Sequence, residues 1–147
     1  MEWYLHHARP DITVRTATPG DYPAIARIQQ TSPEAAQWPV GDYSGFPILL
    51  AWIGPTAAGF CAWRQSAPDE AELLNLAVDP VYRRRGVATA LLEALSVEAR
   101  GDLFLEVAEP NSPAIALYKH HGWVETGLRK GYYEHGTINA IVMQKRP

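Results

Sequence analysis

Glu106 stands inside an otherwise apolar run, Leu103-Phe104-Leu105-Glu106-Val107. Burial in such a strand disfavours the charged form of a carboxylate, which is the tuning a general base near neutral pH needs; the same alternation also suits a side chain that simply faces solvent. A second feature is Arg83-Arg84-Arg85-Gly86-Val87-Ala88-Thr89, placed after an apolar run and at the opening of a helical pattern. A helix start presents amides without intrahelical acceptors and a partial positive charge, and small residues such as Gly86 and Ala88 let a diphosphate come close to the backbone. The glycine spacing is neither that of a Walker loop nor that of a Rossmann fingerprint, and a solvated basic loop would carry the same residues. Asn111, in Asn111-Ser112-Pro113, either caps a helix or hydrogen-bonds a ligand. Tyr118 by itself reads as an aromatic packed at a sheet edge. His6-His7 and His120-His121 are adjacent pairs whose side chains diverge, so no metal site is expected. There is no G-x-S-x-G elbow, and Cys61, inside Gly59-Phe60-Cys61-Ala62-Trp63, reads as core filler rather than a nucleophile.

The elements that must position these residues follow from periodicity and punctuation. Thr13 to Ala17 alternates as a strand, and Thr18-Pro19-Gly20-Asp21 supplies a cap, an early proline and an acid for a helix through about Gln30. Thr31 to Pro47 is a loop rich in proline, glycine and aromatics. Ile48–Ile53 and Ala58–Arg64 flank Gly54-Pro55-Thr56 as a hairpin. Leu73 to Val78 is a strand stopped by Asp79-Pro80, and the helix after Gly86 places Val87, Leu91, Leu92 and Leu95 on one face before closing near Arg100-Gly101. Leu103–Val107 is the next strand. A helix capped at Asn111 follows, its Ile115 and Leu117 turned to the core, and it ends at Gly122. Trp123–Glu125 and Ile138–Met143 complete the sheet, joined by a loop holding Tyr132-Tyr133. The order strand, helix, strand implies one parallel pair in a sheet otherwise built from hairpins.

At 147 residues the chain is one domain by length, 1–147, with residues 1–12 as an N-terminal extension. Sixteen acidic against thirteen basic side chains give a net charge of −3, so no global field holds a nucleic acid. With 47% hydrophobic and 20% charged residues the composition is that of a packed globule, and no apolar run approaches the ~18 residues of a membrane span. The start, Met1-Glu2-Trp3-Tyr4-Leu5-His6-His7, has no secretory pattern, so a cytoplasmic location is expected.

Taken together, Leu74-Asn75-Leu76-Ala77-Val78-Asp79-Pro80, Tyr82-Arg83-x-x-Gly86-x-Ala88, and Asn111-Ser112-Pro113-Ala114-Ile115-Ala116-Leu117-Tyr118 with Gly122-Trp123 resemble the GNAT N-acetyltransferase superfamily. The likeness runs from about Glu72 to Met143. It is greatest toward the bacterial RimI type, which acetylates the N-terminal alanine of a ribosomal protein; Arg129-Lys130-Gly131-Tyr132-Tyr133 adds to it, paired tyrosines there being typical of enzymes acting on protein N-termini. The resemblance implies an α/β fold with a mixed, mostly antiparallel sheet of about seven strands, flanked by helices, whose two central parallel strands splay to admit acetyl-CoA. It further implies that main chain at Leu76, Ala77 and Val78 pairs with the pantetheine arm, and that the amides of Arg84, Arg85, Gly86, Val87, Ala88 and Thr89 hold the diphosphate. Asn111 would contact the cofactor, Glu106 would act as general base through water, and Tyr118 would protonate the departing thiolate. Val78 N–H would meet the oxyanion. Tyr132 and Tyr133 would line the acceptor site, with Trp38 on the wall formed by residues 31–47. Two departures are visible: Asn139-Ala140 stands where related enzymes carry Asp-Ala, and the loop from Tyr133 to Ile138 is short.

The expected activity is transfer of an acetyl group from acetyl-CoA to a primary amine, foremost a protein N-terminal α-amine. A small amine or amino acid is the second candidate acceptor, and a non-catalytic acyl-CoA sensor the reading from another class. An open groove at Tyr132 and Tyr133 would favour a peptide, a closed pocket a small amine, and retention of both Glu106 and Tyr118 speaks against the sensor. Partners other than acetyl-CoA and the acceptor are not implied, beyond a monomer or a homodimer; Trp3 and Tyr4 suit a dimer interface as well as packing against their own sheet.

Overall fold

The computed structural model describes residues 4, 5 and 11–147; the rest of the N-terminal segment, including Trp3, and the side chains of Tyr4, Leu5, Tyr133 and Glu134 lie outside the described residues. In chain order the elements are β1 (Tyr4–Leu5), β2 (Ile12–Thr16), α1 (Tyr22–Gln30), β3 (Ile48–Ile53), β4 (Thr56–Ala67), β5 (Glu70–Val78), α2 (Val87–Glu98), β6 (Asp102–Ala108), α3 (Ser112–His120), β7 (Val124–Tyr133) and β8 (Ile138–Lys145). The strands are hydrogen-bonded in the order β1-β2-β3-β4-β5-β6-β8-β7. The expected seven become eight because Tyr4–Leu5, assigned from sequence to a loose extension, pairs with Val14 and Thr13 of β2. β5 and β6, joined through α2, are the parallel pair that the order strand, helix, strand demanded, and their ladder runs over three rungs, Glu70–Glu72 against Asp102–Phe104. β2–β3, β3–β4, β6–β8 and β7–β8 are antiparallel.

The chain forms two compact units, Met1–Arg64 with Leu74–Glu98, and Gln65–Leu73 with Ala99–Pro147. In the first, β3 and β4 are apolar almost without interruption because helices cover both faces. Ile25 and Ile28 of α1 pack with Tyr43, Ile48, Leu50 and Phe60 on one face. Alternation turns Leu49, Gly59 and Cys61 to the other face, where Val87, Leu91, Leu92 and Leu95 of α2 are buried as their spacing predicts. Cys61 is fully enclosed and burial pushes its thiol up to about 12, which leaves it inert. The start of α1 is fixed by Asp21, whose carboxylate accepts the Thr18 N–H at 2.9 Å and both Arg15 Nη groups at 2.8 and 3.0 Å.

In the second unit β6 alternates cleanly, with Leu103, Leu105 and Val107 buried and Phe104, Glu106 and Ala108 half-buried on the opposite face. Two sequence expectations change here. Ile115 and Leu117 of α3 are only half-buried, and the buried residue of that helix is Tyr118, whose ring lies 5.8 Å from that of Trp123. Tyr132 and Tyr133 belong to β7 rather than to a loop, because pairing with β8 persists to Tyr133↔Ile138 across a register shift after Arg129.

Candidate active site

The first unit carries the residues expected to hold the cofactor, apart from Asn111. Asp79 N–H donates to the Ala58 carbonyl at 2.9 Å, so the main chain at Asp79 faces β4. Strand alternation then turns the N–H and C=O of Val78, and of Leu76, to the opposite edge. The Val78 carbonyl on that edge accepts a hydrogen bond from Ser32 Oγ at 3.1 Å. The carbonyl of Ala77, between Leu76 and Val78, faces Gly59 of β4, at 2.9 Å from where a Cβ on that glycine would stand.

The chain leaves β5 through Asp79, whose buried carboxylate accepts the Val81 N–H at 3.0 Å and Arg27 Nη1 at 2.7 Å. The basic loop that follows is shaped by two left-handed residues, Arg84 at φ +64° and Gly86 at φ +87°. A non-glycine residue in that region costs of order 1–3 kcal/mol and persists only where the surroundings impose it. The first helical hydrogen bond of α2 runs from Ala90 N–H to Gly86 C=O, so the amides of Gly86, Val87 and Ala88 have no intrahelical acceptor. Of the arginines, Arg83 is paired with Glu34, and Arg85 lies 5.7 Å over the Tyr82 ring. Arg84 and Arg85 thus present exposed guanidinium groups just before α2, and Thr89 lies half-buried in its first turn.

Trp38 lies in the same unit, half-buried, with its ring 5.3 Å from Phe46 and its carbonyl accepting Gln29 Nε2 at 2.8 Å. The segment before it is fastened to β5 by a side chain that sequence reasoning did not single out. Asn75, buried at 6% exposure, accepts from Ala36 N–H at 3.2 Å and donates to Ala36 C=O at 3.0 Å, imitating a strand partner. An Asn in an apolar strand is the signal that could have revealed it.

The second unit brings together Glu106, Tyr132 and a residue assigned no role from sequence, Arg129. Arg129 Nη1 donates to both Glu106 oxygens, at 2.8 and 3.0 Å, and its guanidinium lies 4.6 Å over the Tyr132 ring. The Glu106 side chain keeps 23% of its exposure, so of the two sequence alternatives neither full burial nor free solvation holds: the carboxylate is half-covered and ion-paired. The pair holds the Arg129 guanidinium above its ordinary value, chiefly through the hydrogen bonds it donates to Glu106 and through that carboxylate's charge. Asn111 performs its capping role, Oδ1 accepting the Ala114 N–H at 3.3 Å, which leaves its amide nitrogen as the group to offer a ligand. The Tyr133 side chain is outside the described residues.

An open helix end after a strand edge, with an ion-paired carboxylate and a buried tyrosine on the succeeding strand and helix, accords with the Acetyltransferase (GNAT) family, whose pattern matches residues 13–123. The chain belongs to the GNAT acetyltransferase family. It is 48% identical over 143 residues to the ribosomal protein bS18-alanine N-acetyltransferase of Escherichia coli (strain K12), covering 89% of this chain and 95% of that one. The solved structure of the ribosomal-protein-S18-alanine N-acetyltransferase from Escherichia coli superposes with a TM-score of 0.81 at 33% identity, over 92% of this chain and 93% of that one. Ard1 from Thermoplasma volcanium also gives 0.81, at 28% identity over 92% and 97%. The departure of this GNAT chain at Asn139 has a local reason. Asn139 Oδ1 accepts the Gly131 N–H at 3.0 Å while its Nδ2 donates to Glu109 at 3.2 Å, a bracket between β7 and the end of β6 that an aspartate, lacking the donor, would not complete.

Proposed function

We propose that the protein moves an acetyl group from acetyl-CoA to the α-amine of a protein N-terminus, with an alanine-first ribosomal protein as acceptor. The observation that carries this reading is the 48% identity, over nine-tenths of the chain, to an enzyme named for that acceptor. The residues are chemically suited to it. Leu76 and Val78 offer main-chain groups on one strand edge, beside the Ser32 Oγ that bonds the Val78 carbonyl, to the amide groups of a pantetheine arm, and the amides of Gly86, Val87 and Ala88 offer donors and a positive helix end to a diphosphate. Asn111 offers its Nδ2 to the cofactor.

An amine attacks a thioester only when neutral, and an α-amino group with pKa ~7.7–8.0 is far more easily deprotonated near pH 7 than a lysine at ~10.4. One carboxylate therefore suffices. In this scheme Glu106 takes the amine proton, through water, as the nitrogen bonds to the acetyl carbon; Val78 N–H donates to the oxyanion. The carbon–sulfur bond then breaks, and the Tyr118 hydroxyl gives its proton to the thiolate. Tyr132 and Tyr133 on β7, and Trp38 on the segment clamped by Asn75, would contact the acceptor.

The test is release of CoA thiol with an alanine-first ribosomal peptide, the same peptide with its α-amine blocked, and a set of polyamines and amino acids. Turnover of the free peptide alone supports the reading. Turnover of the small amines alone would replace the acceptor, and CoA binding with no turnover on any of them would make the chain a sensor.

A further inference from the structure

Glu106 is met by Arg129 across a whole strand. Antiparallel register sets Glu106 opposite Val142, and Arg129 opposite Ala140, so both project from the same face with β8 between them. Strands flanking a third are roughly 10 Å apart, a span that only a long side chain bridges. The face is cleared for it: β7 places Gly127 opposite Val142, and β8 presents only Val142 and Ala140. The Arg129 side chain nevertheless remains 54% exposed. Besides Glu106, its charge is felt by Tyr132 and by Glu72 of β5, so this face gathers two carboxylates and an aromatic ring around one guanidinium. That is a cation site, and an α-amine near neutral pH arrives largely as a cation.

We propose that Arg129 is the resident counter-ion of the acceptor subsite, occupying at Glu106 the place that the acceptor's amine, with the water that relays its proton, takes during the reaction. The inference rests on the reading of Glu106 as the base. Displaced by the incoming ammonium, the guanidinium keeps the Tyr132 ring as a second seat. Arg129 is a positioning residue and an internal competitor, and its effect falls on acceptor KM.

The experiment compares the parent with Arg129→Gln, Arg129→Lys and Glu106→Gln, using an alanine-first peptide and saturating acetyl-CoA. An exposed pair is worth little, so Arg129→Gln is expected to lower acceptor KM about 1.5- to 5-fold, with the rise in kcat/KM carried by KM. Arg129→Lys, which keeps the charge, should return KM toward the parent's. An unchanged or higher KM in Arg129→Gln, or a loss in kcat of matching size, overturns the proposal. Glu106→Gln keeps the two readings apart. If it transfers acetyl as fast as the parent, the base assignment fails and this inference with it. If it is slow while Arg129→Gln leaves KM unmoved, only the inference fails. Equal CoA affinity in all four proteins reports that they are folded alike.

Discussion

Gly59→Ala isolates the seat that aims the cofactor loop. Gly59 sits on β4 beneath the first turn of α2, and an added Cβ would stand 2.8 Å from Val87 Cγ1, 2.9 Å from the Ala77 carbonyl oxygen and 3.4 Å from Leu91 Cδ1. Ordinary contact requires roughly 3.4 Å or more, so two neighbours must yield by about half an ångström. The Ala77 oxygen belongs to a strand and moves only with it; Val87 is the first residue of α2, so its retreat carries the helix start along. Overpacking of this kind costs about 1–3 kcal/mol. For a chain of this size that lowers the melting temperature by roughly 3–10 °C. The same shift moves the amides of Gly86, Val87 and Ala88, and a hydrogen bond to a charged group is worth about 1.5–3 kcal/mol, so weakening one of them costs about tenfold or more in CoA affinity. Calorimetric titration with CoA, paired with thermal unfolding, reads both effects. Gly59→Ala/Val87→Ala, which removes the flexible clash and keeps the one with Ala77, should recover part of the affinity. Parent-like CoA affinity in Gly59→Ala, within twofold, would refute the reasoning that this contact sets the helix end.

Further outcomes follow from the same geometry. Glu106→Gln and Tyr118→Phe should each slow acetyl transfer by about 10²–10⁴ while CoA affinity stays at the parent's value, as single-turnover kinetics with titration would show. Asn139→Asp loses the donor to Glu109 and sets two carboxylates together, so chemical denaturation should find it about 1–2 kcal/mol less stable at pH 7. Arg15, hydrogen-bonded to Asp21, holds that carboxyl below its ordinary 3.8, aided by the Thr18 amide. A depressed carboxylate stabilises the fold above its unfolded value and loses that contribution as pH falls through the folded one. Asp21→Asn should therefore be about 1 kcal/mol less stable than the parent at pH 7, a gap that closes below pH 3.8 in denaturation curves taken along the acid limb.

The sequence revealed what local pattern controls. Val87, Leu91, Leu92 and Leu95 recur at helical spacing, and all four are buried. Asn111 before Ser112-Pro113 is a cap whose chemistry needs no distant partner, and it caps. The strand–helix–strand order fixed the β5–β6 pair for the same reason. What depends on partners far along the chain stayed hidden. Tyr118, not Ile115 or Leu117, fills the core side of α3 because Trp123 packs on it. The stretch after Glu125 reads as a loop holding Tyr132-Tyr133, yet β7 continues to Tyr133, with Asn139 taking up the Gly131 amide. The Glu106–Arg129 pair joins residues 23 apart through the register of a third strand, and that register shifts between Glu125 and Gly127, which no periodicity in β7 announces.

The measurement that most directly tests the central claim is mass-spectrometric localisation of the acetyl group on a basic, alanine-first ribosomal peptide that also contains lysine, after reaction with acetyl-CoA and this protein. A single acetyl is expected on the α-nitrogen, with none on the same peptide incubated with Glu106→Gln over the same time. Acetyl found on the lysine side chain, or an unmodified peptide beside acetylated polyamines in the same reaction, would contradict it.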